Sequence, residues 1–97
     1  MTEAIEITRE EGDSGGRYVG KLPGLPEAEM TYSKAGTKQI IIDHTGVPDE
    51  LRGTGVGQAL VKQAVEDARA EGKKIIPLCP FAKAQIAKHP EWQDVLK

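Results

Sequence analysis

The segment Arg52-Gly53-Thr54-Gly55-Val56-Gly57 sets three glycines at alternate positions just ahead of a long amphipathic stretch. Bare backbone at a helix start exposes N–H groups, and the helix dipole adds positive potential there. That combination suits a phosphate or pyrophosphate. Two further residues could move protons or attack a carbonyl: His44 and Cys79, the chain's one cysteine. An unperturbed histidine pKa of about 6.5 makes His44 the natural proton acceptor. Cys79 could protonate a leaving group, or accept an acyl group if its pKa is lowered. Each feature has a plainer reading: a turn that binds nothing, a core-edge histidine bonded to a carbonyl, and a small buried hydrophobe.

Two common nucleotide motifs fit the loop badly. A Walker A loop needs Gly-Lys-Ser/Thr at its end, but Gly57 is followed by Gln58 and Ala59. A dinucleotide fingerprint needs G-x-G-x-x-G, and here the third glycine comes one residue early.

The elements that must position these residues are legible from periodicity. Ile5 and Ile7 alternate with polar residues, and the turn cluster Glu11 to Gly16 follows. Arg17 to Leu22 reads as a second strand, closed by Pro23-Gly24-Leu25-Pro26. Ala28, Met30 and Tyr32 alternate with polar neighbours in a third. The fourth, Gln39 to His44, contains Ile40-Ile41-Ile42, a run expected of a central strand covered on both faces. A helix is predicted from about Gly55 to Glu71, with Val56, Leu60, Val61, Ala64, Val65 and Ala68 inward. Gln58, Lys62, Glu66, Asp67 and Arg69 take its outer face, and Gly72 ends it. A buried strand from Ile75 to Cys79 is stopped by Pro80. A short helix from Phe81 to Lys88 directs Phe81, Ala84 (or Ala82) and Ile86 inward, and a last one from Glu91 to Leu96 starts with Pro90. The fold class is α+β: a mixed, mostly antiparallel sheet of about five strands, one long helix and one or two short C-terminal helices.

Composition narrows the class. Ninety-seven residues imply one domain, residues 1–97. A net charge of −2 supplies no basic field for nucleic acid, and the four aromatics are too few for a base-stacking platform. Apolar runs fall short of a membrane span, and the acidic N-terminus is unlike a signal peptide. A single cysteine excludes an internal disulfide and a cysteine zinc cluster, which makes a reducing, cytoplasmic home the expectation. His44 and His89 lack metal-ligand spacing, so no metal is expected. His89 should cap the last helix or face solvent, Trp92 should pack that helix on the sheet, and Lys83 and Lys88 should be solvated unless one reaches a phosphate.

Arg52-x-x-Gly55-x-Gly57 resembles the R/Q-x-x-G-x-G/A loop of the GNAT superfamily of N-acetyltransferases. His44-Thr45-x-Val47-Pro48, Arg52 to Gly55, Ile76 to Phe81 and His89-Pro90-Glu91 together resemble a short, single-domain GNAT-like subfamily with a cysteine after its last strand. The resemblance implies a minimal GNAT-like fold, without the helices that family members carry after the first strand, because only Pro23 to Pro26 separates strands two and three. It implies acetyl-coenzyme A as cosubstrate and direct transfer of acetyl from the thioester to an amine. It also implies a cofactor site of Thr45, Val47, Arg52, Gly53, Thr54, Gly55, Val56 and Gly57. Backbone near Thr45 and Val47 would bond the pantetheine amides like an added strand, and N–H groups from Arg52 to Gly57 would hold the pyrophosphate. His44 and Cys79 would flank the reactive carbonyl as catalytic residues, if the strands that carry them lie parallel and side by side. The face His44 takes depends on register, and one residue of slip reverses it. Asp43 could orient His44 only if a kink brought both to one face. A small or flexible amine acceptor is expected, since few residues remain for a pocket, and a homodimer could close the groove beside Pro23 to Pro26. The alternative is an acyl-coenzyme A binding module or sensor without catalysis.

Overall fold

The computed structural model describes residues 5–96. Five strands form one sheet in the order β1-β2-β3-β4-β5: Glu6–Glu11, Gly15–Lys21, Ala28–Ala35, Gln39–Gly46 and Lys74–Pro77. The first four are antiparallel neighbours, and β4 and β5 pair in parallel. Helix α1, Val56–Glu71, makes the crossover between them, and α2, Pro80–Ala87, and a 3-10 turn, Pro90–Val95, follow β5.

The apolar stripe of α1 packs as its spacing predicts, with Val56, Leu60, Val61, Ala64, Val65 and Ala68 all buried against the sheet. Gly72 closes the helix in a left-handed conformation (φ 69°), its N–H bonding to Ala68 and Arg69 carbonyls. Gly20 lets α1 approach: a Cβ there would lie 2.5 Å from Val56 Cγ2. Ala82 and Ile86, with Phe81 half-buried, form the inner side of α2, while Ala84 is exposed. Trp92 is buried under the last turn.

Three expectations need correction. Ile40 and Ile42 are buried, but Ile41 is only half-buried. The buried side chains of α1, α2 and the last turn join a single core cluster with Ile40 and Ile42, so the central strand is sealed on that face alone. Strand β5 ends at Pro77, not Cys79. The N–H groups of Leu78 and Cys79 both converge on the Ile42 carbonyl, at 3.2 and 3.1 Å, so the ladder cannot advance past that residue. Asp67 does not sit on the outer face of α1. It is half-buried and accepts hydrogen bonds from Tyr18 Oη (2.9 Å), Gln63 (3.0 Å) and Arg9 (3.3 Å). Two tyrosine hydroxyls reach the edge of the core there and need polar partners. Tyr32 finds Glu11 at 2.6 Å and Arg9 at 2.9 Å.

Strand β4 carries the irregularity that shapes the site. Tyr32 pairs with Ile42, but the next partners are Thr31 and His44, so Asp43 is an extra residue in β4. The bulge reverses the phase of every side chain beyond it. Thr45, opposite buried Met30, resumes the helix-covered face, and His44, opposite Thr31, goes to the other.

Candidate functional site

The glycine loop and the first turn of α1 form one wall of an open cleft of about 390 Å³. Val47, Leu51, Arg52, Gly53, Gly55, Val56, Gly57 and Gln58 contribute from this side, and Phe81 and Gln85 of α2 from the other. The glycines do different jobs. Gly53 (φ 80°) and Gly55 (φ 83°) are left-handed, with nothing within 4 Å of a built Cβ, so backbone conformation demands glycine there. Gly57 is helical and buried, and its missing side chain makes room for the Phe81 ring, whose Cζ would be 2.6 Å from a Cβ.

Not every N–H from Arg52 to Gly57 is available to a ligand. Arg52 and Thr54 donate to the Asp49 and Leu51 carbonyls. The Thr54 hydroxyl donates to Leu51 O at 2.6 Å and accepts from Val56 N at 3.3 Å, which ties the turn together. Among the described residues, the N–H groups of Gly53, Gly55, Gly57 and Gln58 have no hydrogen-bond partner. They lie at the positive end of α1, where free N–H groups suit an anion. The Arg52 side chain is exposed and pairs with Asp49 at 3.2 Å. Val56 turns into the core, and half-buried Val47 packs against it.

Below the loop the two parallel strands part. Their last paired residues are Ile42 and Pro77, yet β4 runs on to Gly46, so its β5-side edge is left without a strand. Cys79 lies at this divergence as the N-cap of α2, buried, with its Sγ 3.4 Å from Thr45 Oγ1. Burial is the largest influence on the thiol and opposes ionisation. Hydrogen bonds from the Thr45 hydroxyl and from the backbone of Ala82, Phe81 and Thr45 outweigh it, so the pKa lies below the ordinary value.

A family model for GCN5-related N-acetyl-transferases matches residues 17–95. The chain belongs to the GCN5-related N-acetyltransferase family. It is similar to a solved GCN5-like protein from Staphylococcus aureus, at 40% identity and a TM-score of 0.70, covering 93% of this chain and 87% of that one. It is 30% identical over 63 residues to Protein NATD1 of Xenopus tropicalis, which is 65% of this chain and 58% of that protein. It is 37% identical over 60 residues to N-acetyltransferase family 8 member 5 of Mus musculus, 62% of this chain and 25% of that protein. The match thus spans little more than half of one curated relative and a quarter of the other.

In this GCN5-related chain the structure unites the loop, Val47, Thr45 and Cys79 around the cleft and the strand divergence, but it does not bring His44 to Cys79. The bulge at Asp43 sends exposed His44 to the opposite face, where its Nε2 would meet a Cβ on Gly46 at 3.5 Å. Asp43 is not its partner either, since its carboxylate accepts from Ser33 Oγ at 2.6 Å. His89 is the N-cap residue of the last turn, as expected, its carbonyl accepting from Trp92 N at 2.9 Å, while its side chain makes no capping bond. It stacks on Trp92 (centroids 3.9 Å apart), bonds Glu91 at 3.0 Å and reaches Gln58 at 3.4 Å. Gln58 and Gln85 entered the site unannounced: their helical phase alone puts them beside the loop, and they carry no motif signal. Among the described residues no group of three or more His, Cys, Asp or Glu is arranged to hold a metal, and no helix is long and apolar enough to cross a membrane.

Proposed function

We propose that this chain transfers the acetyl group of acetyl-coenzyme A directly to an amine. The observation that supports the reading is that three parts gather beyond the C-terminal ends of β4 and β5: the unpaired loop N–H groups, the strand-free edge of β4 and the thiol of Cys79. The N–H groups of Gly53, Gly55, Gly57 and Gln58 suit the pyrophosphate. The edge of β4 beyond Ile42 suits the pantetheine amides, paired as an added strand. When bound, the coenzyme supplies an electrophilic thioester carbonyl and a thiolate leaving group. Cys79, starting as the thiolate, accepts a proton from the attacking nitrogen and passes it from its S–H to the departing sulfur, which regenerates the thiolate. Its lowered pKa suits both steps, since a weaker base still accepts from a protonated amide-forming nitrogen and a stronger acid readily protonates an alkyl thiolate. His44, on the far face, stands outside this proton path.

The acceptor is small or flexible. Only the link between Lys21 and Ala28 joins β2 to β3, and it supplies no helix to wall a substrate pocket. A second copy of the chain closing the groove beside that link remains part of the proposal. Calorimetric titration with acetyl-coenzyme A, followed by thiol release across an amine panel, tests the reading. Cys79→Ala should keep coenzyme affinity and lose turnover. No binding at millimolar coenzyme would overturn the reading, and unchanged turnover in Cys79→Ala would remove the cysteine from it.

A further inference from the structure

Thr45 enters the site twice: its backbone edges the strand divergence, and its side chain turns toward Cys79 because the Asp43 bulge has switched the phase of β4. In regular pairing continued from Tyr32 and Ile42, Thr45 would lie opposite Glu29, on the other face of the sheet. Thr45 is half-buried, and its Oγ1 lies 3.4 Å from Sγ. A β-branched side chain in a strand has few rotamers to lose, so the hydroxyl is held where the backbone aims it. A hydroxyl also serves both protonation states: it accepts from S–H and donates to S⁻ by rotating. The titratable side chains on and beside the flanking elements, Asp43 and His44 on β4, Lys74 on β5, Lys83 on α2 and Lys88 just after it, are all exposed. The groups acting on the sulfur at close range are therefore hydrogen-bond donors rather than charges.

We propose that Thr45 is a positioning residue for Cys79: its hydroxyl fixes the sulfur at the mouth of the β4–β5 divergence and stabilises it when it ionises. This rests on the acetyl-transfer reading for its purpose, but its test needs no coenzyme. The thiolate can be followed by ultraviolet absorbance, because the chain has one cysteine and its two tyrosines, Tyr18 and Tyr32, are both pushed above their ordinary range by burial and by hydrogen bonds to carboxylates. Cys79→Ala supplies the blank.

In Thr45→Val, which keeps the shape and removes the donor, the thiolate fraction near neutral pH should fall about tenfold, the scale of one hydrogen bond to a charged group. Thr45→Ser should restore it. An unchanged titration in Thr45→Val, or an equal fall in Thr45→Ser, would overturn the proposal. Thr45→Ala serves the same comparison if the valine variant does not fold. In turnover, Thr45→Val should lower kcat and move its pH profile upward while KM for the coenzyme stays put. A Thr45-dependent titration in a protein that transfers no acetyl would sink the function and leave the positioning intact.

Discussion

Gly57→Ala separates packing from conformation in the glycine loop. A methyl at Gly57 would lie 2.6 Å from Phe81 Cζ and 3.1 Å from Cε2. Carbon atoms in contact rest about 3.5–4.0 Å apart, so the ring must retreat by roughly 1 Å. Overpacking of this size costs about 1–3 kcal/mol. Gly57 lies within α1, where alanine is favoured over glycine by up to about 1 kcal/mol. The two effects leave a net destabilisation of about 0–2 kcal/mol, read from urea midpoints at constant m. Binding should suffer more. Phe81 lines the cleft across from the loop, and a ring displaced from Gly57 has the cleft to enter. Acetyl-coenzyme A affinity should therefore fall about tenfold, equivalent to about 1.4 kcal/mol. Phe81→Leu removes the clashing atoms, so the double variant should recover at least about 0.5 kcal/mol of the loss. Gly55→Ala is the control. It meets nothing within 4 Å but requires φ 83°, so it should lose about 1–2 kcal/mol, and Phe81→Leu should not rescue it. Additive effects of Gly57→Ala and Phe81→Leu, within error, would refute the assignment of Gly57 to packing.

Two further outcomes follow from the core and its edge. The Tyr32 hydroxyl, helped by Arg9 and Lys34, holds the Glu11 carboxyl down from 4.5 to about 2. A folded pKa below the unfolded one adds stability that is full above pH 4.5 and is lost as the pH falls toward 2. Tyr32→Phe should flatten that acid slope in urea unfolding, and identical slopes in the two proteins would contradict it. Leu60 is fully buried between α1 and the sheet, close to Gly20. Leu60→Ala should cost about 2–5 kcal/mol and lower Tm by roughly 10 °C or more. A loss under about 1 kcal/mol would mean that the α1–sheet interface collapses into the space.

Much of the architecture is local and was legible in the chain. The period-2 run Ala28-Met30-Tyr32, the α1 stripe and the Gly72 stop each depend on a residue's own turn or pleat, and each matches its element. The glycine loop was legible for the same reason: left-handed φ at Gly53 and Gly55 is a demand that only glycine meets without strain. Gly57 looked like part of the same signal, but its reason is Phe81, a residue brought back by β5 and the start of α2. Asp67 looked like surface because its partners Tyr18 and Arg9 are 49 and 58 residues away.

The bulge at Asp43 was the decisive feature that the sequence did not carry. No glycine or proline marks it, and it exists because β4 must stay in register with β3 on both sides of one extra residue. That single insertion moves His44 out of the cleft side and Thr45 in, next to Cys79. The sequence by itself determined which elements form and which residue types could bind phosphate or move a proton, because those follow from backbone periodicity and side-chain chemistry. Only the tertiary structure decided which of these share a face, because the phase of a strand past a bulge is set by its neighbours.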